Sequence, residues 1–224
     1  MDALILDFDG VVIDSEPIHL ACFQKVLAEA GIALSSEDYY TKYLGYDDRD
    51  CFLAAARDNG VRLDRRRVDR MIAAKTALVQ RHFSQSVQSL EGAVELIRAV
   101  AAAGVPVAVC SGALRKEIEL ASAAVGVLDC FAVIVSAEDV AAGKPDPQGY
   151  RLAVEKLRSR CGRQIRPERC VAVEDAPAGI AAAQAAGMKV LAVTNSYHAD
   201  HLRAAQAVVE TLKTVSVETL EGLL

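Results

Sequence analysis

Two aspartates, separated by one residue, follow a short apolar run near the start of the chain. Leu4–Leu6 has the composition of a buried strand and leads directly into Asp7, Phe8, Asp9 and Gly10. A buried charge is costly unless it is paired or bound to a cation. The stretch therefore predicts either a surface turn or a site that is built to hold a positively charged group.

Later apolar runs of the chain also end in polar residues. The run at 107–110 is followed by a serine and a glycine, the run at 131–135 by a loop that contains a lysine, and the run at 170–173 by two acids. The polar residues concerned are Ser111 with Gly112, Lys144, and Glu174 with Asp175. In an open parallel sheet, ligands bind beyond the carboxyl ends of the strands. Polar groups from four segments are therefore expected at one edge.

These residue types suit phosphoryl transfer, in which an anionic group must be neutralised and aligned with a nucleophile. Asp7 could be that nucleophile and form an aspartyl phosphate. Asp9 could protonate the leaving oxygen and then take a proton from the attacking water. Gly10 would allow the tight turn that brings the two carboxylates together.

A divalent cation would remove the repulsion between a carboxylate nucleophile and a phosphate, and hard oxygen ligands favour Mg²⁺. Asp175 and Glu174 would complete a metal site with Asp7. Ser111 and the backbone N–H groups around Gly112 would hold phosphate oxygens. Lys144 would neutralise charge on the phosphate and on Asp7.

Each of these features also has an ordinary structural interpretation when it is taken alone. The aspartate pair could be a turn, and Lys144 could be a solvated loop lysine. Ser111 could be a helix N-cap, and the two acids at 174–175 could complement a helix dipole. The presence of all four at successive strand ends favours the functional interpretation.

The pattern from residue 90 onward alternates between helix and strand. Helical spacing is found over 91–103, around 118–120, after 147 and over 177–186. The predicted strands are 4–6, 107–110, 131–135, 170–173, 190–193 and a short last one at 207–209. Short apolar strands that alternate with helices predict an α/β domain whose parallel sheet is covered on both faces.

The segment between the first strand and the rest of the sheet has a different character. Residues 15–88 contain no convincing strand and show charged helical patterns at roughly 18–30, 36–43, 47–58 and 64–82. We therefore predict a core made of 1–14 and 89–224, with a small helical domain inserted as 15–88.

Composition excludes several other classes of protein. The net charge of -5 argues against a general nucleic-acid binder, and the basic run Arg65–Arg67 is interpreted as a solvated helix face. The six cysteines include no CxxC pair, which is typical of reduced thiols. No apolar run approaches the roughly 18 residues of a membrane span. We expect a soluble cytoplasmic monomer without membrane or nucleic-acid partners.

The motifs together resemble those of the haloacid dehalogenase-like hydrolase superfamily, in particular its beta-phosphoglucomutase and phosphoglycolate-phosphatase-like branch. The resemblance covers essentially the whole chain. DFDGV is similar to the first motif of the family, VAVCSG to the second and GKPDP to the third. VAVEDAPAGIAAAQAAGM is similar to the fourth, and DSEPIH resembles the start of a helical cap.

This resemblance implies a Rossmann-like core and a cap domain, with Asp7 as the nucleophile and Asp9 as the acid/base. It also implies Mg²⁺ bound by Asp7, the backbone carbonyl of Asp9 and Asp175, with Glu174 in or near that shell. The chain departs from the pattern at Ala176, where many relatives have serine. That difference concerns the outer hydrogen bonds of the metal site and not its ligands.

The substrate of such an enzyme is selected by the cap, where His19 and Arg49 are our candidates to face the cleft. The alternative for Arg49 is an ion pair with the neighbouring acids Asp47 and Asp48 on a helix surface. The alternative for His19 is an ordinary residue in the first turn of a helix.

The stretch after Ser111 reads GALR and is more similar to that of phosphatases than to the lysine-containing mutase pattern. We therefore expect an Mg²⁺-dependent phosphatase acting on a small phosphorylated metabolite of the sugar phosphate or phosphoglycolate type. The alternatives are a sugar phosphomutase of the beta-phosphoglucomutase type and a phosphate-binding module without turnover.

Overall fold

A computed structural model of the chain describes residues 1–85 and 87–224. The chain folds into two compact units. The first consists of Met1–Asp14 and Val87–Leu224, and the second is Ser15–Ser86. Ser86, which falls within the predicted insertion, lies outside the described residues.

The first unit is built on a six-stranded sheet in which all neighbouring strands are parallel. The strands are β1 (Ala3–Leu6), β2 (Val107–Cys110), β3 (Phe131–Val135), β4 (Cys170–Glu174), β5 (Lys189–Val193) and β6 (Ala207–Val209). Their order in the sheet is β3-β2-β1-β4-β5-β6. Every predicted strand is present, and the predicted α/β fold class is confirmed.

Helices follow the strands, and the insertion between β1 and β2 is helical. The α-helices are α1 (Glu16–Glu29), α2 (Ser36–Asp38), α3 (Asp48–Asp58), α4 (Arg65–Gln85), α5 (Ala93–Ala102), α6 (Arg115–Ala124), α7 (Gln148–Cys161), α8 (Pro177–Ala185) and α9 (Val217–Glu221). A π-helix spans Tyr39–Tyr43, and 3-10 helices span Leu128–Cys130, Ala137–Asp139, Pro167–Arg169, Ala199–His201 and Leu212–Thr214. None of the described helices has both the length and the apolar character that a membrane span requires.

Burial explains why the sheet forms where it does. Every residue of β1, β2 and β4 is buried. Because successive side chains of a strand point to opposite faces of a sheet, complete burial means that both faces are covered. On this sheet α7 packs on β2 and β3, and α8 packs on β4 and β5.

The second unit has its own apolar core and contains no strand among its described residues. The Phe23 ring packs edge-on against Phe52, with 5.0 Å between the ring centroids, and lies 5.9 Å from Tyr39. The predicted helix at 36–43 is a short α-helix followed by the π-helix, and α4 extends beyond the predicted end at 82.

The chain leaves the first unit and returns to it at one place. Ile13 forms a bridge with Ser89, and the Asp14 amide donates to the Gln88 carbonyl across 3.0 Å. The segments before and after the insertion therefore pair with each other through their backbones.

One close approach places α7 beneath the carboxyl end of β2. A Cβ atom added at Gly149 would lie 2.8 Å from the Sγ atom of Cys110, which is buried. Glycine at this position therefore lets the first turn of α7 approach β2, and with it the loop that contains Lys144.

We expect Gly149→Ala to destabilise the protein by about 1–3 kcal/mol, the usual cost of overpacking a core. Gly143→Ala is the matched control, because a Cβ atom there meets nothing within 4 Å. Urea unfolding measures both. Adding Cys110→Ala removes the obstructing sulfur and should recover part of the loss caused by Gly149→Ala. Equal stability of the two glycine variants would contradict the close-packing argument.

Candidate active site

The backbone after β1 turns back on itself and places two partly buried aspartates at the sheet edge. The Asp7 amide donates to the Val173 carbonyl across 2.9 Å, which extends the pairing of β1 with β4 by one residue. The Phe8 carbonyl then accepts from the amides of the three residues 11–13. Asp9, which is half-buried, lies in this turn and pairs with Ile13.

Gly10 has a left-handed backbone, with φ of 73°, and lies directly against Asp175. A Cβ atom at Gly10 would be 1.9 Å from Asp175 Oδ2 and 2.9 Å from Ser196 Oγ. Any other residue would therefore be both strained and obstructed. Asn195 Nδ2 also donates to the Gly10 carbonyl across 2.7 Å. The turn after β1 is thereby held against the loops that follow β4 and β5.

The ammonium group of Lys144 bridges two carboxylates. Its Nζ atom lies 2.8 Å from Asp7 Oδ1 and 2.7 Å from Glu174 Oε1, and its side chain is 18% exposed. Burial lowers the pKa of Lys144, but the charges of Asp7 and Glu174 outweigh burial and raise it well above its usual value. Lys144 is therefore a permanent cation of the site, and its interpretation as a solvated loop lysine is wrong.

Glu174, the last residue of β4, and Asp175, directly after it, lie in an environment that disfavours their ionisation. Burial raises the pKa of Glu174 to about 8, against the opposing effect of Lys144. Burial also raises the pKa of Asp175 to about 7, and the negative charges of Asp7 and Asp9 add to this shift. Neither acid is in the first turn of α8. The interpretation of the pair as helix-start acids is therefore wrong.

A divalent cation fits this group of carboxylates. Oxygen atoms of Asp7, Glu174 and Asp175 lie within 4.8 Å of one another, and among residues 1–85 and 87–224 no other group of three His, Cys, Asp or Glu side chains does so. The Oε2 atom of Glu174 is buried and has no hydrogen-bond partner among the described residues. An all-oxygen donor set is the kind that Mg²⁺ prefers.

Ser111 follows β2 and lies beside the lysine loop. Its amide donates to the Val135 carbonyl across 3.0 Å, and its hydroxyl accepts from the Ala113 amide across 3.0 Å. Helix α6 begins only at Arg115, so the interpretation of Ser111 as its N-cap is wrong. Ser111, Gly112 and Lys144 line one hollow of about 250 Å³.

The two residues predicted for substrate contact lie on helices of the second unit. Arg49 is exposed on α3 and pairs with Asp69 of α4 across 2.6 Å, rather than with Asp47 or Asp48. His19 is half-buried on α1 and packs edge-on against Phe83. Burial lowers the pKa of His19 to about 3, and the charge of Lys75 adds to the shift, so this imidazole is neutral at pH 7.

Sequence reasoning missed three polar residues: one that is buried on a helix of the second unit and two that follow a strand of the first unit. Lys75 is buried on α4, pairs with Asp48, and lies 4.3 Å from the centre of the Phe23 ring. Its position could have been found, because it falls on the helical spacing of buried residues on α4, which are Val68, Met71, Val79 and Phe83. Asn195 and Ser196 follow the end of β5, the same signal that identified the other strand ends.

Comparison with known proteins gives consistent matches over the chain. A family model described as haloacid dehalogenase-like hydrolase matches residues 1–187. The chain is 27% identical to validoxylamine A 7'-phosphate phosphatase of Streptomyces hygroscopicus subsp. limoneus, over 94% of both proteins. It is 30% identical to protein CbbY of Rhodobacter capsulatus, over 100% of this chain and 99% of the relative. The crystal structure of CbbY from Rhodobacter sphaeroides with phosphate shares the fold, with a TM-score of 0.86 at 23% identity over 99% of each chain.

The raised pKa values of Glu174 and Asp175 predict how the metal-free protein responds to pH. The folded state binds protons more tightly at these acids than the unfolded chain does, so their contribution to stability falls as pH rises from about 4 to about 8. We expect Asp175→Asn in EDTA to raise the melting temperature at about pH 8 and by less at about pH 5.5.

Each kcal/mol corresponds to about 2–4 °C in a chain of this size, so the comparison is within the range of calorimetry. Asp200→Asn changes an exposed ion pair and is the matched control. A melting temperature of Asp175→Asn that is unchanged at both pH values would contradict the raised pKa of Asp175.

Proposed function

We propose that this chain, which belongs to the haloacid dehalogenase-like hydrolases and is a phosphoric monoester hydrolase, acts with Mg²⁺ through an aspartyl phosphate on Asp7. The family match confirms the resemblance seen in the motifs. The proposed substrate is a small phosphorylated metabolite of the sugar phosphate or phosphoglycolate type. The observation that carries the proposal is the Lys144 ammonium between Asp7 and Glu174, whose carboxylates lie within 4.8 Å of that of Asp175.

The first half of the proposed reaction transfers the phosphoryl group to the protein. An oxygen of Asp7 attacks the phosphorus atom and forms a new P–O bond as the ester P–O bond breaks. Asp9 donates its proton to the departing alcohol oxygen. Lys144 stays charged throughout, and it both holds Asp7 in place and offsets the negative charge of the phosphoryl group.

The second half returns Asp7 to its starting state. The carboxylate of Asp9 takes a proton from a water molecule, and the water oxygen bonds to phosphorus as the bond between phosphorus and Asp7 breaks. Ser111 and the backbone around Gly112, which line the same hollow as Lys144, hold the phosphate oxygens. The products are inorganic phosphate and the free enzyme.

Asp7, Asp175 and Glu174 would hold the metal with their side chains, together with the carbonyl of Asp9. Mg²⁺ bound there would supply the positive charge that lets an anionic phosphate approach a carboxylate. The buried oxygen of Glu174 without a hydrogen-bond partner among the described residues and the raised pKa values of both acids support a cation at this position.

Two observations favour hydrolysis over phosphoryl transfer to a second sugar position. The Arg115 guanidinium, which follows the second motif, is held by Asp139 across 2.6 Å and by the Ile134 carbonyl across 3.0 Å. Arg49 is paired with Asp69. Both cations are therefore engaged, whereas a mutase needs groups that grip a second phosphate. The relative named for validoxylamine A 7'-phosphate also supports a phosphatase.

The proposal is tested by phosphate release from a panel of phosphomonoesters, with Mg²⁺ and with EDTA. We expect release that requires the metal and a fall in kcat of about 100- to 10,000-fold in Asp9→Asn, the usual contribution of acid–base catalysis. Asp7→Asn should lose turnover altogether, and Asp200→Asn should retain it.

The panel includes phosphoglycolate, hexose phosphates and beta-glucose 1-phosphate, the last also assayed for glucose 6-phosphate. Isomerisation with little free phosphate would replace the phosphatase proposal by the mutase. Phosphate binding without turnover of any ester would support a binding module instead.

Metal binding makes a second prediction that requires no substrate. Mg²⁺ should raise the melting temperature by more at about pH 8 than at about pH 5.5, because its ligands must be deprotonated. Asp175→Asn should lose most of this rise, and Asp200→Asn should keep it. An equal rise at both pH values, or in Asp175→Asn, would show that the ion binds elsewhere.

A further inference from the structure

Tyr150 lies beneath the proposed active site and belongs to none of the motifs. It is the third residue of α7 and is fully buried. Its hydroxyl donates a hydrogen bond to Glu174 Oε1 across 2.5 Å. The ring lies 5.5 Å from Lys144 Nζ. The close approach of Gly149 to Cys110 brings this side chain to the carboxyl ends of the central strands.

Two donors meet on one oxygen of Glu174. Tyr150 and Lys144 both contact Oε1, while Oε2 has no hydrogen-bond partner among the described residues. Gly179 leaves the room for this carboxylate, since a Cβ atom there would lie 2.0 Å from Oε2. The two donors and the glycine together fix the orientation of a fully buried carboxylate.

The orientation of Glu174 determines where the ammonium group of Lys144 lies. The same Nζ atom is shared between Glu174 and Asp7, at 2.7 Å and 2.8 Å. Without the hydroxyl of Tyr150, the ion pair with Lys144 would be the one remaining polar contact of Glu174 Oε1 among the described residues. The buried carboxylate would then attract Lys144 more strongly, at the expense of Asp7.

We infer that Tyr150 is a positioning residue of this site, whose hydroxyl holds Glu174 in its metal-binding orientation and thereby keeps Lys144 on Asp7. The inference rests on the proposed function, because it assigns Tyr150 a role toward the proposed metal and nucleophile. A neutral hydroxyl suits this role, since it satisfies a carboxylate oxygen without supplying a charge that would compete with the cation.

The test is Mn²⁺ binding to the substrate-free protein, followed by electron paramagnetic resonance of the free ion. Mn²⁺ is used as the probe because it takes the same oxygen ligands as Mg²⁺. We expect Tyr150→Phe to weaken binding by about tenfold or more, the usual effect of removing a hydrogen-bond partner of a metal ligand. In the phosphatase assay, kcat should fall while KM for the ester changes by less than about twofold.

Tyr43→Phe is the matched control. Tyr43 is also buried, and its hydroxyl donates to the Asp58 carboxylate across 2.6 Å in the second unit. The change therefore removes the same kind of hydrogen bond away from the metal ligands. It should lower the melting temperature and leave the Kd for Mn²⁺ unaltered.

Glu174→Gln provides a second background, in which the acid is replaced by a neutral amide that depends less on the hydroxyl. If Tyr150 acts through Glu174, adding Tyr150→Phe to this variant should change the Kd by less than about twofold. A further loss of about tenfold there would overturn the inference. Comparing the Kd for Mn²⁺ of the double variant with that of Glu174→Gln also tests the inference if Tyr150→Phe alone does not fold.

The outcomes separate the inference from the proposed function. Tyr150→Phe with unaltered Kd and kcat overturns only the role of Tyr150. A parent chain that binds no Mn²⁺ refutes the proposed metal site, and with it the inference. Binding that weakens in Tyr150→Phe supports the inference even if the panel of esters lacks the substrate.

Discussion

The ammonium group of Lys144 between the carboxylates of Asp7 and Glu174 is the interaction on which the rest of the site depends. Asp175 adds a third carboxylate within 4.8 Å of those two. Buried like charges repel strongly in a medium of low dielectric constant. One lysine does not neutralise three carboxylates, and their repulsion adds to burial in raising the pKa values of Glu174 and Asp175. The fold must therefore hold together an arrangement that its own charges oppose.

The parallel sheet achieves this by placing the acids at the ends of its most buried strands. β1 lies between β2 and β4. Asp7 follows β1, Ser111 follows β2 and Glu174 is the last residue of β4, so all three lie at the same edge of the sheet. The backbone positions are fixed by ladder hydrogen bonds that run to the last strand residue and, at Asp7, one residue beyond it. The paired strands thus fix the backbone positions of the acids and of Ser111, while the loop after β3 carries Lys144.

The sequence was sufficient to predict that these residues lie close together, because each comes at or after the end of a recognisable strand. The strands were recognisable as short apolar runs, and the order of polar residues at their ends carried the chemistry. Tyr150 could not be found in this way, since it lies on the apolar face of α7 with Ala153, Val154 and Leu157 and has the spacing of a core residue. The pairing of Arg49 with Asp69 joins two helices and depends on tertiary packing. Helix α9 has five residues, too few for a hydrophobic period to be recognised.

Apart from Lys144, the side chains that donate hydrogen bonds within the site are neutral. Tyr150 donates to Glu174, Ser196 donates to Asp175, and Asn195 donates to the carbonyl of Gly10. An arginine or a second lysine in place of Tyr150 or Ser196 would bind the carboxylates more tightly in the absence of metal, but it would also weaken their attraction for a cation. Hydroxyl and amide groups orient the acids without adding a positive charge, so Lys144 remains the cation that contacts the carboxylates of Asp7 and Glu174. The serine that many relatives carry after the acid pair is alanine at 176 here, and Ser196 from the loop after β5 supplies a hydroxyl to Asp175. Because these donors are neutral, the carboxylates keep their attraction for the metal ion that the proposed reaction uses.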